Sequence, residues 1–252
     1  MQAPNQTTQQ DKTALRLAAH HQCFKSQRAT EHAARLFLKW NPGVPYYLWS
    51  DGGDDYTSLA QELRLHYSFS GINVGYKHYT PDGLVELFRR VKQTAEESGA
   101  DLILWMEDDV ITRAQLNISA DVQSTCLRTT HRIWPACHDL LRNKYGVEPN
   151  VPSWGMAGGS LLNGHLFRKR WPMIEEFARA DYPKLIEACG SEVGYGDILM
   201  QMVHMIANVP CKVGGYVVDH CEKPFPTIPI LRSIRRLHYN RKPLIHGIKT
   251  HY

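Results

Sequence analysis

Apolar positions fall into two periods along the first half of the chain. Leu102-Ile-Leu-Trp-Met106 is an unbroken apolar run of strand length, the pattern of a strand buried on both faces, and it runs straight into Glu107-Asp108-Asp109. Ahead of it, Ala14-Leu-Arg-Leu-Ala-Ala19 predicts a first strand. Residues 30–40 predict a helix, because Ala33/Ala34, Phe37 and Leu38 recur at helical spacing before Asn41-Pro-Gly-Val-Pro45 stops it. Tyr46-Tyr-Leu-Trp-Ser50 predicts a second strand, which ends in Asp51-Gly52-Gly53-Asp54-Asp55. A helix over residues 56–66 and a strand near residues 72–76 follow. Thr80 is placed to cap a helix whose first turn is Pro81-Asp82, whose face is Leu84, Leu87/Phe88, Val91 and Ala95, and which Gly99 ends. Strands alternating with helices predict an α/β fold with a mainly parallel central sheet flanked by helices, in a single domain.

Beyond the acids the pattern changes. Ser119 can cap a helix in which Val122, Cys126, Ile133, Cys137 and Leu140/Leu141 stand three or four apart, with Pro135 either kinking it or starting a second helix. Trp154-Gly-Met-Ala-Gly158-Gly159-Ser160-Leu-Leu-Asn163-Gly164 clusters glycines in a strand-like stretch, which marks close approach of a ligand or of another backbone. Gly194-Tyr-Gly196-Asp197 opens an apolar helix through Ile198, Leu199, Met202, Met205 and Ile206. Asp197 stands where an N-cap would. A last strand, Lys212-Val-Gly-Gly-Tyr-Val-Val218, leads to Asp219-His220 and then to a proline-rich loop and a basic segment, residues 232–242.

Composition narrows the reading. The 252 residues are 43% hydrophobic, enough to bury one large core, and no stretch reads as a second domain. A net charge of +4 is too small to point to nucleic acid. Six cysteines without a Cys-x-x-Cys pair favour buried, reduced thiols over a disulfide framework or a zinc module, and so a cytosol-like, cytoplasmic compartment. The first ten residues are polar, and no run reaches the length of a membrane span, so a soluble protein is expected, or one separated from its anchor.

Three adjacent carboxylates at a strand end repel one another, and a divalent cation relieves the repulsion; oxygen ligands of this kind suit Mg²⁺ or Mn²⁺. An apolar strand ending in a short acidic motif resembles the metal-binding signature, often Asp-x-Asp, of GT-A-fold glycosyltransferases. The resemblance implies a Rossmann-type, GT-A-like sheet and a nucleoside-diphosphate sugar donor. Glu107 and Asp109 become metal ligands, and Asp108 turns to the ribose or sugar. The end of the first strand, Ala19 and His20, and Asp51 after the second become the nucleoside contacts, although a turn-forming Asp before Gly-Gly explains Asp51 equally well. Gly158 and Gly159 resemble the segment that runs under the donor sugar, with a tight bulge as the alternative. Asp197 resembles the catalytic base of inverting members, with Gly196 standing where those members often have Glu. His246-Gly-Ile-Lys249 resembles a C-terminal element in which the His completes the metal shell and the Lys meets the diphosphate.

The function expected from this resemblance is metal-dependent transfer of a sugar to the hydroxyl of a glycan or glycoconjugate acceptor, with inversion if Asp197 is the base and with retention if Asp197 instead orients the sugar. Residues 1–12 form a disordered tail, 13–110 a nucleotide-binding half, 111–230 an acceptor and catalytic half, and 231–252 a lid. A nucleotidyltransferase that makes nucleotide-sugars is one alternative, but Cys23-Phe-Lys-Ser-Gln-Arg28 after the first strand lacks the glycine its phosphate loop needs. A non-catalytic module binding sugar or nucleic acid through the Arg-rich end is the other.

Overall fold

The computed structural model describes residues 15–24, 26–71, 74, 80–128, 134–149, 154–189, 196–219 and 242–246. The first half alternates as expected: β1 (Leu17–Cys23), α1 (Gln27–Trp40), β2 (Tyr46–Ser50), α2 (Thr57–Leu63), β3 (His66–Ser68), α3 (Pro81–Ser98) and β4 (Leu102–Met106). Then come β5 (Ile111–Thr112), β6 (Thr125–Arg128), α4 (Trp134–Tyr145), β7 (Trp154–Gly155) and β8 (Leu161–Asn163). Four helical segments cover the far side: α5 (Gly164–Lys169), α6 (Trp171–Glu176), a π-helical turn (Phe177–Asp181) and α7 (Tyr182–Cys189). The described chain closes with α8 (Gly196–Ile206), β9 (Lys212–Val213), β10 (Val217–Asp219) and β11 (Leu244–His246).

The main sheet has the order β3-β2-β1-β4-β8-β6-β7, with β9 beside β6. β1 to β4 run parallel, β8 opposes both β4 and β6, and β9 follows β6, so only β7 and β8 point the other way. A three-stranded sheet, β10-β11-β5, adjoins it. All five residues of β2 and of β4 are buried, which is why β4 is apolar throughout and β2 is aromatic or aliphatic up to Ser50, whose hydroxyl donates to the Asp54 carbonyl. Leu102, Leu104 and Met106 pack towards α1, whereas Ile103 and Trp105 pack towards α3 and the later helices.

α3 forms as its sequence dictates. The Thr80 hydroxyl accepts the Gly83 N–H at 3.0 Å, Pro81 opens the first turn, and Gly99 ends the helix at φ +61°. Elsewhere four boundaries differ from the sequence pattern. The helix predicted over residues 56–66 ends at Leu63, where Arg64 takes φ 56°, and His66–Ser68 pairs with β2 as a strand. β1 runs on through His20 and His21 to Cys23, because both rings are buried with partners of their own. Thr125–Arg128 is a strand, not the start of a helix: β6 is held between β8, β7 and β9, and Pro135 lies in the first turn of a separate α4. Gly214-Gly215 splits the predicted last strand into β9 and β10, and a Cβ at Gly214 would stand 2.8 Å from the Val217 side chain. The predicted strand near residues 72–76, apart from Val74, lies outside the described residues, as do the tail 1–12, the basic segment 232–241 and Lys249. Among the described residues no helix is long and apolar enough to cross a membrane.

Candidate active site

The parallel strands β1, β2 and β4 deliver their carboxyl ends to one rim, where open α/β sheets hold ligands. Glu107-Asp108-Asp109-Val110 forms a tight turn there, closed by the Val110 N–H donating to the Glu107 carbonyl at 3.0 Å. All three acids are half-buried. The Trp105 indole N–H donates to Glu107 Oε1 at 2.8 Å. Asp108 is turned inward towards α1: the Thr30 hydroxyl donates to its Oδ1 at 2.6 Å, and His21 Nε2 lies 3.0 Å from the same oxygen. His21 Nδ1 is in turn 2.6 Å from the Tyr46 phenol oxygen, whose pKa is pushed well above its usual value by burial and then by the Asp108 charge.

The glycine turn forms the next part of the rim. Gly159 N–H donates to the Trp105 carbonyl at 2.7 Å and Trp105 N–H to the Ser160 carbonyl at 2.9 Å, which fastens residues 159–160 to the end of β4. Gly159 adopts φ +89°, and a Cβ there would stand 2.7 Å from Val217 Cγ2, so the close approach of β10 requires this glycine. Gly158 is buried beside it. Two residues earlier, the Met156 N–H donates to the Asp197 carbonyl at 2.9 Å and ties the first turn of α8 to the same rim. Asp197 is half-buried there.

The small sheet brings the chain's end to this place. Leu244 pairs with Thr112 and Ile245 with Ile111 in antiparallel register, so His246 falls alongside Val110, one residue past the acidic triplet. In the parallel register of β10 and β11, His246 pairs with Asp219. The backbone therefore gathers Glu107, Asp109, Asp219 and His246 into one neighbourhood, while the side chains of Asp219 and His246 lie outside the described residues. Asp219 belongs with the candidates and was legible, since Val217-Val218-Asp219 repeats the pattern of an apolar strand ending in an acid.

Two predicted donor contacts stand elsewhere, and a third is engaged within the protein. Ala19 and His20 lie three to four residues inside β1 and are fully buried; the rim positions of that strand are Gln22 and Cys23. His20 stacks on Trp105 at 5.0 Å between ring centroids, with its Nδ1 2.8 Å from the Thr94 hydroxyl, and burial lowers its pKa well below the usual value. Asp51 does reach the rim after β2, but its Oδ1 accepts from Arg90 Nη1 at 3.0 Å and from the Val74 N–H at 2.8 Å. Its charge is thereby used to hold α3 and residue 74 against the sheet.

Among the described residues no group of three or more His, Cys, Asp and Glu side chains is placed to hold one metal ion. Glu107 and Asp109 supply two carboxylates of the hard-oxygen type that a divalent cation takes, and the strand register adds the backbone positions of Asp219 and His246. Two clefts between described residues lie elsewhere. One, of about 630 Å³, is bounded by Arg113, Asn117, Tyr216 and Lys242, and the other, of about 650 Å³, lies at the amino ends of the strands beside Arg16 and Pro45.

No family model and no curated protein sequence matches the chain. Solved structures do. An active-site mutant of LgtC is 14% identical, with 93% of this chain and 88% of that one covered and a TM-score of 0.53. The galactosyltransferase LgtC in complex with donor and acceptor sugar analogues is 13% identical, with 91% and 87% covered and a TM-score of 0.51. The fold of this chain is accordingly GT-A-like, a mixed α/β architecture around a mainly parallel sheet.

Proposed function

We propose that the chain is a glycosyltransferase that moves a sugar from a nucleoside-diphosphate sugar to an acceptor hydroxyl with the help of a divalent cation. The observation that carries this reading is the convergence at one sheet rim of the acidic turn, the glycine turn and the first turn of α8. The fold shared with a galactosyltransferase solved with donor and acceptor sugar analogues supports it.

In this reading Glu107 and Asp109 hold Mn²⁺ or Mg²⁺, with His246 as a third ligand. The bound cation supplies charge withdrawal from the diphosphate as it leaves. Lys249, outside the described residues, neutralises phosphate oxygens from the C-terminal side. The donor sugar lies along the rim beside Gly158 and Gly159. Asp197 faces the acceptor from the start of α8 and takes the proton from its hydroxyl, so that the acceptor oxygen attacks the anomeric carbon from the side opposite the leaving group. The product then carries the inverted configuration. The acceptor is a glycan or glycoconjugate.

The test is a panel of nucleoside-diphosphate sugars incubated with Mn²⁺ and simple sugar acceptors. Release of nucleoside diphosphate that stops on adding a chelator is expected. Release of pyrophosphate from a nucleoside triphosphate and a sugar phosphate would instead identify a nucleotidyltransferase.

A further inference from the structure

Within the acidic turn, Asp108 is tied into the protein from its middle position. Its Oδ1 takes the Thr30 hydroxyl at 2.6 Å and stands 3.0 Å from Nε2 of His21, a ring that is fully buried and that meets the Tyr46 phenol at 2.6 Å. Three elements, β1, α1 and β2, thus send one side chain each into a chain of hydrogen bonds that ends on one carboxylate oxygen. Asp108 is also the second residue of the turn that carries Glu107 and Asp109, and Val110 closes that turn on Glu107.

The proton count of the chain is consistent. The Tyr46 O–H donates to His21 Nδ1, the Nε2–H donates to Asp108, and the Thr30 O–H donates to the same oxygen; this tautomer is assigned from the network. Thr30 and His21 are inaccessible to solvent, so each hydroxyl or ring nitrogen that lost its partner would be a buried, unsatisfied group. A solvated turn needs no such anchorage. Here the anchorage turns the middle carboxylate towards α1, while the Glu107 carboxylate before it accepts from the Trp105 indole.

The geometry points to Tyr46, His21 and Thr30 as positioning residues that pin Asp108 and, through the turn's backbone, set the spacing of Glu107 and Asp109 for a divalent cation. The cation's part in this inference rests on the proposed function; the pinning of the turn does not. Groups that hydrogen-bond a metal ligand directly are worth about 10–100-fold in metal affinity, and residues that act through Asp108 and the turn's backbone stand at or below the low end of that range.

Thr30→Val and Tyr46→Phe each remove one hydroxyl and keep the side chain's shape. Each full-length variant is titrated with Mn²⁺ alone, free Mn²⁺ being counted by electron paramagnetic resonance, and hydrogen exchange is followed across the chain. Both variants are expected to bind Mn²⁺ more weakly, by up to about tenfold. Exchange at the Val110 amide should quicken while exchange in α3 and β4 holds, and the melting temperature should fall by a few degrees only, the cost of one unsatisfied buried group. Unchanged Mn²⁺ affinity beside a wild type that binds, or exchange that quickens throughout the fold, overturns the inference. If the wild type binds no Mn²⁺, the metal-dependent reading fails, and exchange decides the pinning: quickening confined to residues 107–110 upholds it, and unchanged exchange there overturns it.

Discussion

Arg90 and Asp51 form an ion pair inside the molecule, Nη1 to Oδ1 at 3.0 Å, with the guanidinium fully buried and the carboxylate 7% exposed. Arg90 also donates to Glu86 at 3.0 Å, so one cation on α3 is held from its own helix and from the end of β2. Burying a charge is tolerated only when it is paired, and removing one partner of such a pair costs about 3–5 kcal/mol. Asp51→Ala is therefore expected to lower unfolding stability by about 3 kcal/mol, because Glu86 still meets the arginine. The double variant Asp51→Ala, Arg90→Met should recover most of that loss in urea unfolding. A single variant as stable as the wild type would mean that the pair carries no structural load.

Gly159 offers a second double-mutant test. An added Cβ would meet Val217 Cγ2 at 2.7 Å, and φ +89° is strained for any L side chain. Gly159→Ala should lose more than about 1 kcal/mol, and Val217→Ala in the same chain should return the steric part but not the backbone part. Thermal melts of the four proteins read the cycle. Additive losses would show that the two residues do not meet.

His204 makes stability depend on pH. It is fully buried; its Nδ1 lies 2.7 Å from the Met200 carbonyl, and its Nε2 accepts the Asn163 N–H at 2.9 Å. The neutral Nδ1–H tautomer satisfies both, whereas a second proton on Nε2 would face an N–H. Burial lowers its pKa from 6.5 to about 4. The unfolded chain then binds more protons below pH 6.5, so stability is fully present above that value and falls as pH drops towards 4. At pH 5 the loss from this residue is about 2 kcal/mol, and His20 is displaced in the same direction. Urea unfolding at pH 7 and pH 5 should show a drop that is smaller by about that amount in His204→Gln, whose amide oxygen can still accept the Asn163 N–H. Equal drops in the two proteins would place the titration elsewhere.

The parts of this fold legible in the sequence are those fixed locally. β4 is apolar at every position because both its faces are covered, and Thr80, Pro81 and Gly99 mark the ends of α3 through their own backbone preferences. The acidic triplet could be placed at a rim for the same reason. Hidden were the features set by distant partners. Val122 and Cys126 stand four apart like helix neighbours, yet Cys126 belongs to a strand made by its pairing with β9. Two histidines look like the end of β1, because nothing nearby shows that Thr94 waits for one and Tyr46 and Asp108 for the other. Asp51 reads as a turn or a ligand contact until Arg90, 39 residues on, is seen beside it.

Asp197 separates a catalytic role from a structural one. A base acts in the transition state, so Asp197→Asn should cut kcat at least a hundredfold while KM for the donor stays close to the wild-type value. The Met156 N–H bonds to the Asp197 backbone carbonyl, a tie that the substitution keeps, and the variant's melting temperature is read beside its kinetics. A kcat within threefold of the wild type, or a product with retained anomeric configuration, would remove Asp197 from the base role.

Binding of a nucleotide through a divalent cation at the turn after β4 is read from the melting temperature in the presence of nucleoside diphosphates, with and without Mn²⁺. A ligand at about 100 times its dissociation constant stabilises the folded state by about 2.7 kcal/mol, roughly 5–10 °C for a chain of this size. The wild type should show a shift of that order with at least one nucleoside diphosphate, only when Mn²⁺ is present. Asp109→Ala, at the rim and half-buried, should melt close to the unliganded wild type and lose the Mn²⁺-dependent shift. A shift of the same size in Asp109→Ala, or one indifferent to Mn²⁺ in the wild type, would contradict binding through the cation.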